Sequence, residues 1–227
     1  MLGAAINAQV CLLPIVAGFV GADTMACVLA TRIYDSDEIR TLVDIGTNGE
    51  VVMGSKDGLM VCSAPAGPAL EGAQIRHGMR GALGAIEKVY IDDDVTCDII
   101  GATPAIGICG SGLIDACAKL ATAEVMEPSG RLRRKKREEL PEKLQERLVD
   151  TSDGCHFVLV EEEDSGRDEP IVITQADIRQ VQLAKSAIFS GIVMLQHVMK
   201  ISDDDLQEVM MCGGFGNYIN IESAVKI

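Results

Sequence analysis

Apolar positions in this chain fall into two alternating regimes, short continuous runs and longer stretches at helical spacing, and together they predict a mixed α/β protein. Runs at 41–45, 50–54 and 59–63 are separated by a Gly-Thr-Asn-Gly turn and a Lys-Asp-Gly turn, which predicts three strands of a meander. Segments 85–91 and 96–100 flank Asp92-Asp93-Asp94 and predict a second hairpin, while 157–160 and 171–174 frame an acidic loop. A last apolar strand, 206–212, ends at Gly213. Helical spacing recurs at 25–33, with Asp23 as its expected N-cap, and at 113–125. Pro68 suits the first turn of a short helix. The longest helix is expected from the cap Thr174-Gln175-Ala176-Asp177 to about Lys200, with an apolar face that includes Ile178, Val181, Leu183, Ile188, Leu195 and Val198.

Two segments break the pattern. Residues 2–22 are apolar, but Asn7, Gln9, Pro14, Gly18 and Gly21 interrupt them and no Lys or Arg precedes Arg32. A buried strand and turn over 12–20 is therefore expected in preference to a signal peptide or a membrane span. Residues 131–137 are almost wholly basic, and acidic residues follow at once. A solvated surface excursion over about 131–150 is the expected reading, with a short anionic-partner patch as the alternative.

Composition narrows the function. The chain has 227 residues, 48% of them hydrophobic, but only 3% aromatic, so the core must be aliphatic and a base-stacking surface is excluded. A net charge of −14 also repels a nucleic-acid backbone, so no nucleic acid is expected as partner. None of the eight cysteines forms a C-x-x-C pair, and His77, His156 and His197 are scattered, so zinc or iron–sulfur ligation by this chain is unsupported. Mostly buried, reduced thiols in a cytoplasmic protein are expected, with no membrane attachment.

Three glycine-rich loops could carry chemistry. In Asp44-Ile45-Gly46-Thr47-Asn48-Gly49, glycines let backbone N–H groups approach a phosphate, and Thr47 and Asn48 add donors. Asp44, at a strand end, can hold Mg²⁺ through water, which makes it the candidate metal and catalytic residue. An ordinary Asn-Gly hairpin is the alternative. Gly107 to Gly112, containing Gly110 and Ser111, could receive an anion at a helix N-terminus, or could equally serve close helix–sheet packing. The loop Gly213-Gly214-Phe215-Gly216 ends a strand and could let an adenine or ribose lie on the main chain, or could be a tight turn. Glu71, Arg76, His77 and Arg80 could touch a ligand or partner, but pairing among themselves is the expected arrangement.

These loops, with Leu13 to Asp23, Cys62 to Ile75 and Gly107 to Asp115, resemble the reductive activators of corrinoid proteins, in the superfamily that includes actin, sugar kinases and heat-shock ATPase chaperones. The resemblance covers nearly the whole chain except 131–149. It implies an actin-like ATPase half-domain with a ribonuclease H-like mixed sheet, Asp44 to Gly49 as the second phosphate loop and Gly213 to Gly216 as the adenosine loop. It further implies ATP and Mg²⁺ as ligands and a corrinoid protein or corrinoid-dependent methyltransferase as partner. ATP hydrolysis there drives reduction of Co(II) to Co(I). A homodimer is compatible with it.

The family's first phosphate loop, an Asp-x-Gly-Thr-Thr sequence, and its N-terminal [2Fe-2S] domain do not occur in this sequence. The chain is accordingly expected to be a partial domain, truncated at both ends, that binds nucleotide weakly and hydrolyses it negligibly by itself. A non-catalytic docking module and a small-molecule kinase of the same superfamily are the alternatives.

Overall fold

The computed structural model describes residue 5 and residues 7–227, apart from 10, 215 and 217. In chain order it contains α1 (Ala22–Thr31), β1 (Ile39–Ile45), β2 (Gly49–Ser55), β3 (Gly58–Ala64), β4 (Ala85–Ile91), β5 (Val95–Ile99), β6 (Gly107–Ile108), α2 (Gly110–Thr122) and α3 (Glu142–Glu146). Then follow β7 (Leu148–Thr151), β8 (Gly154–Val160), β9 (Ile171–Thr174), α4 (Gln175–Met199), β10 (Leu206–Cys212) and α5 (Ile221–Lys226).

The central sheet has the order β10-β1-β2-β3, antiparallel through the meander and parallel between β1 and β10. Strand alternation divides its side chains between two layers. Leu42 and Val52 turn to one face and pack with Val28 of α1 and Ile33. Val51 and Met53 turn to the other, against Leu195 of α4. Glycine makes that second contact close. A Cβ on Gly49 would sit 2.6 Å from Ile188 Cγ1, and one on Gly191 would sit 3.1 Å from Cys62 Sγ.

Two three-stranded sheets, β5-β4-β6 and β7-β8-β9, share the main hydrophobic core with α2. Asp115 of α2 ties this region together: it accepts from the Val89 amide at 2.7 Å and from the Ser223 hydroxyl of α5. Asp177 does the same for α4, accepting from the Thr174 amide and hydroxyl, each at 2.8 Å, and from the Arg76 amide at 2.9 Å. The capping box expected at Thr174 is thus present, and it joins the helix to a loop a hundred residues upstream.

Four expectations need correction. Residues 12–20 contain only the bridge Ala17–Val20, and Leu12 and Phe19 are 86% and 77% exposed. Apolar character alone could not bury them because the described residues offer no partner strand. The first helix starts at Ala22 with Gly21 as its N-cap, and Asp23, inside the first turn, accepts instead from the neighbouring Thr24 amide. Leu183 and Val198 of α4 are exposed, since the sheet covers a narrower arc than the apolar stripe supplies.

The charged stretch is anchored rather than free. Leu132, Leu140, Leu144 and Leu148 are buried in the main core. Its cations pair outward, with Arg134 2.7 Å from Asp150, and Arg133 3.4 Å from Glu139. Arg147, nearly buried, donates to Asp94 at 2.6 Å and to the carbonyls of Val158 and Leu159. That guanidinium holds the Asp94 carboxyl down at about 2, against an ordinary 3.8.

Candidate functional site

Because β10 runs parallel to β1, the two strands end at the same edge of the sheet, with Asp44 opposite Cys212. The turn after β1 and the loop after β10 are thereby neighbours, although Asp44 and Cys212 stand 168 positions apart in the chain. In open sheets with parallel strands, such carboxyl ends are where ligands are gripped.

Gly213 makes the junction tight. Its φ is +87°, and a Cβ there would lie 2.4 Å from Asp44 Oδ1 and 2.7 Å from the Ile45 carbonyl oxygen. The Gly216 amide donates back to the Gly213 carbonyl at 3.2 Å, and Gly216 packs on Cys212. Gly214 has open space where a side chain would stand. Phe215 lies outside the described residues.

Asp44 is 8% exposed and has no cationic partner among the described residues. Burial, then the charges of Asp23 and Glu50, push its carboxyl above the ordinary value; the Cys27 thiol, donating to Oδ2 at 3.8 Å, opposes them. A carboxylate so placed is short of positive charge. Among the described residues no cluster of three His, Cys, Asp or Glu side chains could ligate a metal unaided.

The β1–β2 turn closes with the Gly46 amide donating to the Asn48 carbonyl at 2.9 Å. Gly46 and Asn48 are half-buried, Gly49 is buried, and Thr47 is exposed, donating to Glu71 Oε1. Glu71 ends a short 3₁₀ turn, Pro68–Glu71, as the sequence suggested from Pro68. Gly110 and Ser111 lie behind that turn: a Cβ on Gly110 would stand 2.1 Å from the Leu70 carbonyl oxygen, and Ser111 is buried beside Cys109 Sγ at 3.2 Å. Their geometry here is that of close packing.

The group Glu71, Arg76, His77 and Arg80 does not pair internally. Arg76 reaches Asp153 at 3.1 Å, Arg80 is exposed, and His77 is buried with both ring nitrogens unpartnered, Glu169 standing 3.9 Å from Nδ1. Burial chiefly lowers the His77 pKa. Sequence reasoning named Glu71 as a possible ligand or partner contact but missed Cys27, Asp23 and Glu50 around the loops. Only Glu50 carried a local signal, adjoining the turn; the others arrive by tertiary packing.

The architecture is that of an ASKHA domain, a mixed α/β fold with mixed sheets and flanking helices. The chain belongs to the family described as "C-terminal domain of RACo the ASKHA domain", which matches residues 38–227. It is similar to "Corrinoid activation enzyme RamQ" of Eubacterium limosum, at 38% identity over 93% of this chain and 36% of that protein. It is also 25% identical to "[Co(II) methylated amine-specific corrinoid protein] reductase" of Methanosarcina barkeri, over 97% of this chain and 40% of that one. A solved structure, "Reductive activator for corrinoid,iron-sulfur protein", superposes with a TM-score of 0.84 at 42% identity, covering 94% of this chain and 33% of its own. The chain thus spans between a third and two-fifths of the length of these relatives. No helix among the described residues is long and apolar enough to cross a membrane.

Proposed function

We propose that this chain forms one wall of the nucleotide site of a reductive activator of corrinoid proteins, gripping Mg-ATP with Asp44, the turn Gly46–Gly49 and the loop Gly213–Gly216. The observation that carries this reading is the parallel pairing of β1 and β10, which sets both glycine loops around one buried, cation-deficient carboxylate. The residues fit a metal–nucleotide. Asp44 would hold Mg²⁺ through water, the exposed Thr47 hydroxyl and the turn amides would face phosphate oxygens, and the bare backbone at Gly214 would lie against the nucleoside. Bound Mg²⁺ neutralises charge that develops on a phosphoryl group in transfer. The names of the three relatives, all activators or reductases of corrinoid proteins, support a corrinoid protein as partner, and one of them names Co(II); the ASKHA fold supports ATP as the ligand whose hydrolysis would be coupled to Co(II) reduction in the complete activator.

This chain contains a single Asp-x-Gly-Thr sequence, so it supplies one phosphate cradle, and weak binding with negligible hydrolysis is expected of it alone. Titration calorimetry with Mg-ATP tests the assignment. Asp44→Asn should weaken binding at least about tenfold, as loss of a charged metal contact does. Equal affinity of Asp44→Asn and wild type, or binding indifferent to Mg²⁺, would overturn it.

A further inference from the structure

Both oxygens of Asp44 are covered by residues tied to a cysteine. Oδ2 faces the Cys27 thiol of α1 at 3.8 Å, and Oδ1 faces Gly213, the residue that follows Cys212. Cys212 pairs with Asp44 across the parallel ladder, so the two side chains rise side by side from one face of the sheet. It is the face on which α1 packs, and Cys27 and Cys212 border the same apolar cluster of Val28, Ile33, Leu42 and Val52. Burial above all, then the charges of Asp44 and Cys212, pushes the Cys27 thiol up to about 11, and burial raises Cys212 as well, so both sulfurs rest as protonated thiols. Both are free and partly accessible, whereas Cys109 and Cys117 are buried.

We infer that Cys27 and Cys212 are a thiol pair oxidised by peroxides to a disulfide, and that this bond loosens the grip of the Asp44 site on Mg-nucleotide. The proposal rests, for its effect on binding, on the nucleotide reading above. In the first step one thiol gives up its proton and its sulfur attacks a peroxide oxygen; the O–O bond breaks, a sulfenic acid forms, and the departing hydroxide takes up that proton as water. In the second, the other cysteine's sulfur attacks the sulfenic sulfur; the S–S bond forms, the S–O bond breaks, and the hydroxyl leaves as a second water with that thiol's proton. The sulfurs together lose an electron pair and the peroxide gains it. A disulfide holds its sulfurs roughly 2 Å apart. Reaching that separation draws Cys27 off Oδ2 or draws Cys212, with Gly213, away from Oδ1. Either movement changes the contacts that position the carboxylate.

The test uses the 227-residue chain. Reduced protein is exposed to hydrogen peroxide, remaining thiols are alkylated, and non-reduced peptides are mapped by mass spectrometry while Mg-ATP affinity is measured in parallel. A Cys27–Cys212 cross-link, with affinity at least about fivefold weaker and restored by dithiothreitol, is expected; a weakened hydrogen bond to a charged group accounts for a loss of that size. Cys212→Ser and, separately, Cys27→Ser should each lose the cross-link and make affinity insensitive to peroxide. Absence of that cross-link in the wild type overturns the proposal, and so does a cross-link that leaves affinity unchanged. If the reduced chain binds no Mg-ATP, the nucleotide reading fails; the cross-link alone then decides whether the pair is an oxidation site.

Discussion

Gly213→Ala probes the junction of the two loops with a single methyl group. The added Cβ would stand 2.4 Å from Asp44 Oδ1, 2.7 Å from the Ile45 carbonyl oxygen and 3.0 Å from its amide nitrogen. All three atoms belong to residues of β1, and two are main-chain atoms of a strand hydrogen-bonded on both sides, so they cannot withdraw independently. The backbone adds a second cost, because φ is +87°. A left-handed conformation costs a non-glycine residue about 1–2 kcal/mol, and overpacking about 1–3 kcal/mol more, so a destabilisation of about 3 kcal/mol is expected. In a domain of this size that lowers Tm by about 6–12 °C. Gly214→Ala is the matched control: its Cβ meets nothing, and it should stay within about 0.5 kcal/mol of wild type. Urea unfolding followed by circular dichroism measures both. Equal stability of Gly213→Ala and wild type, or equal damage from both variants, would refute the argument that these loops meet at Asp44.

Asp177→Ala removes the acceptor for two amides and a hydroxyl, and should cost about 2–4 kcal/mol in urea unfolding, with earlier amide exchange at the start of α4. Leu144→Ala should cost about 2–5 kcal/mol although it sits in a charged stretch, whereas Lys135→Ala should be neutral within about 0.5 kcal/mol; the reverse order would restore the free-excursion reading. Asp94 has a folded pKa of about 2, below its ordinary 3.8, so the stability it contributes is present above about pH 4 and is lost as pH falls toward 2. In Asp94→Asn, the urea midpoint should therefore fall less steeply over that interval than in wild type.

Much of the local structure was legible because it depends on neighbours in the chain. The meander β1–β2–β3 follows from apolar runs broken by Asn-Gly and Asp-Gly turns, and α4 from its capping box and period. The charged stretch was misread despite a usable signal: Leu140, Leu144 and Leu148 recur at i, i+4 and i+8, yet the density of Arg, Lys and Glu masked them. At residues 12–20 the error ran the other way. Hydrophobicity states that a segment gains from burial, and not that a partner is there to bury it.

The sequence by itself determined the strands, the long helix and the identity of the glycine loops, since turn chemistry and hydrophobic period act within a few residues. Only the tertiary structure decided that the loop after β10 lies against Asp44, that Gly110 packs on the Leu70 carbonyl, and that Cys27 faces the carboxylate. The reason is the parallel β1–β10 pairing, a contact made across most of the chain's length, whose register is set by which side chains can be buried together and by no residue near either loop.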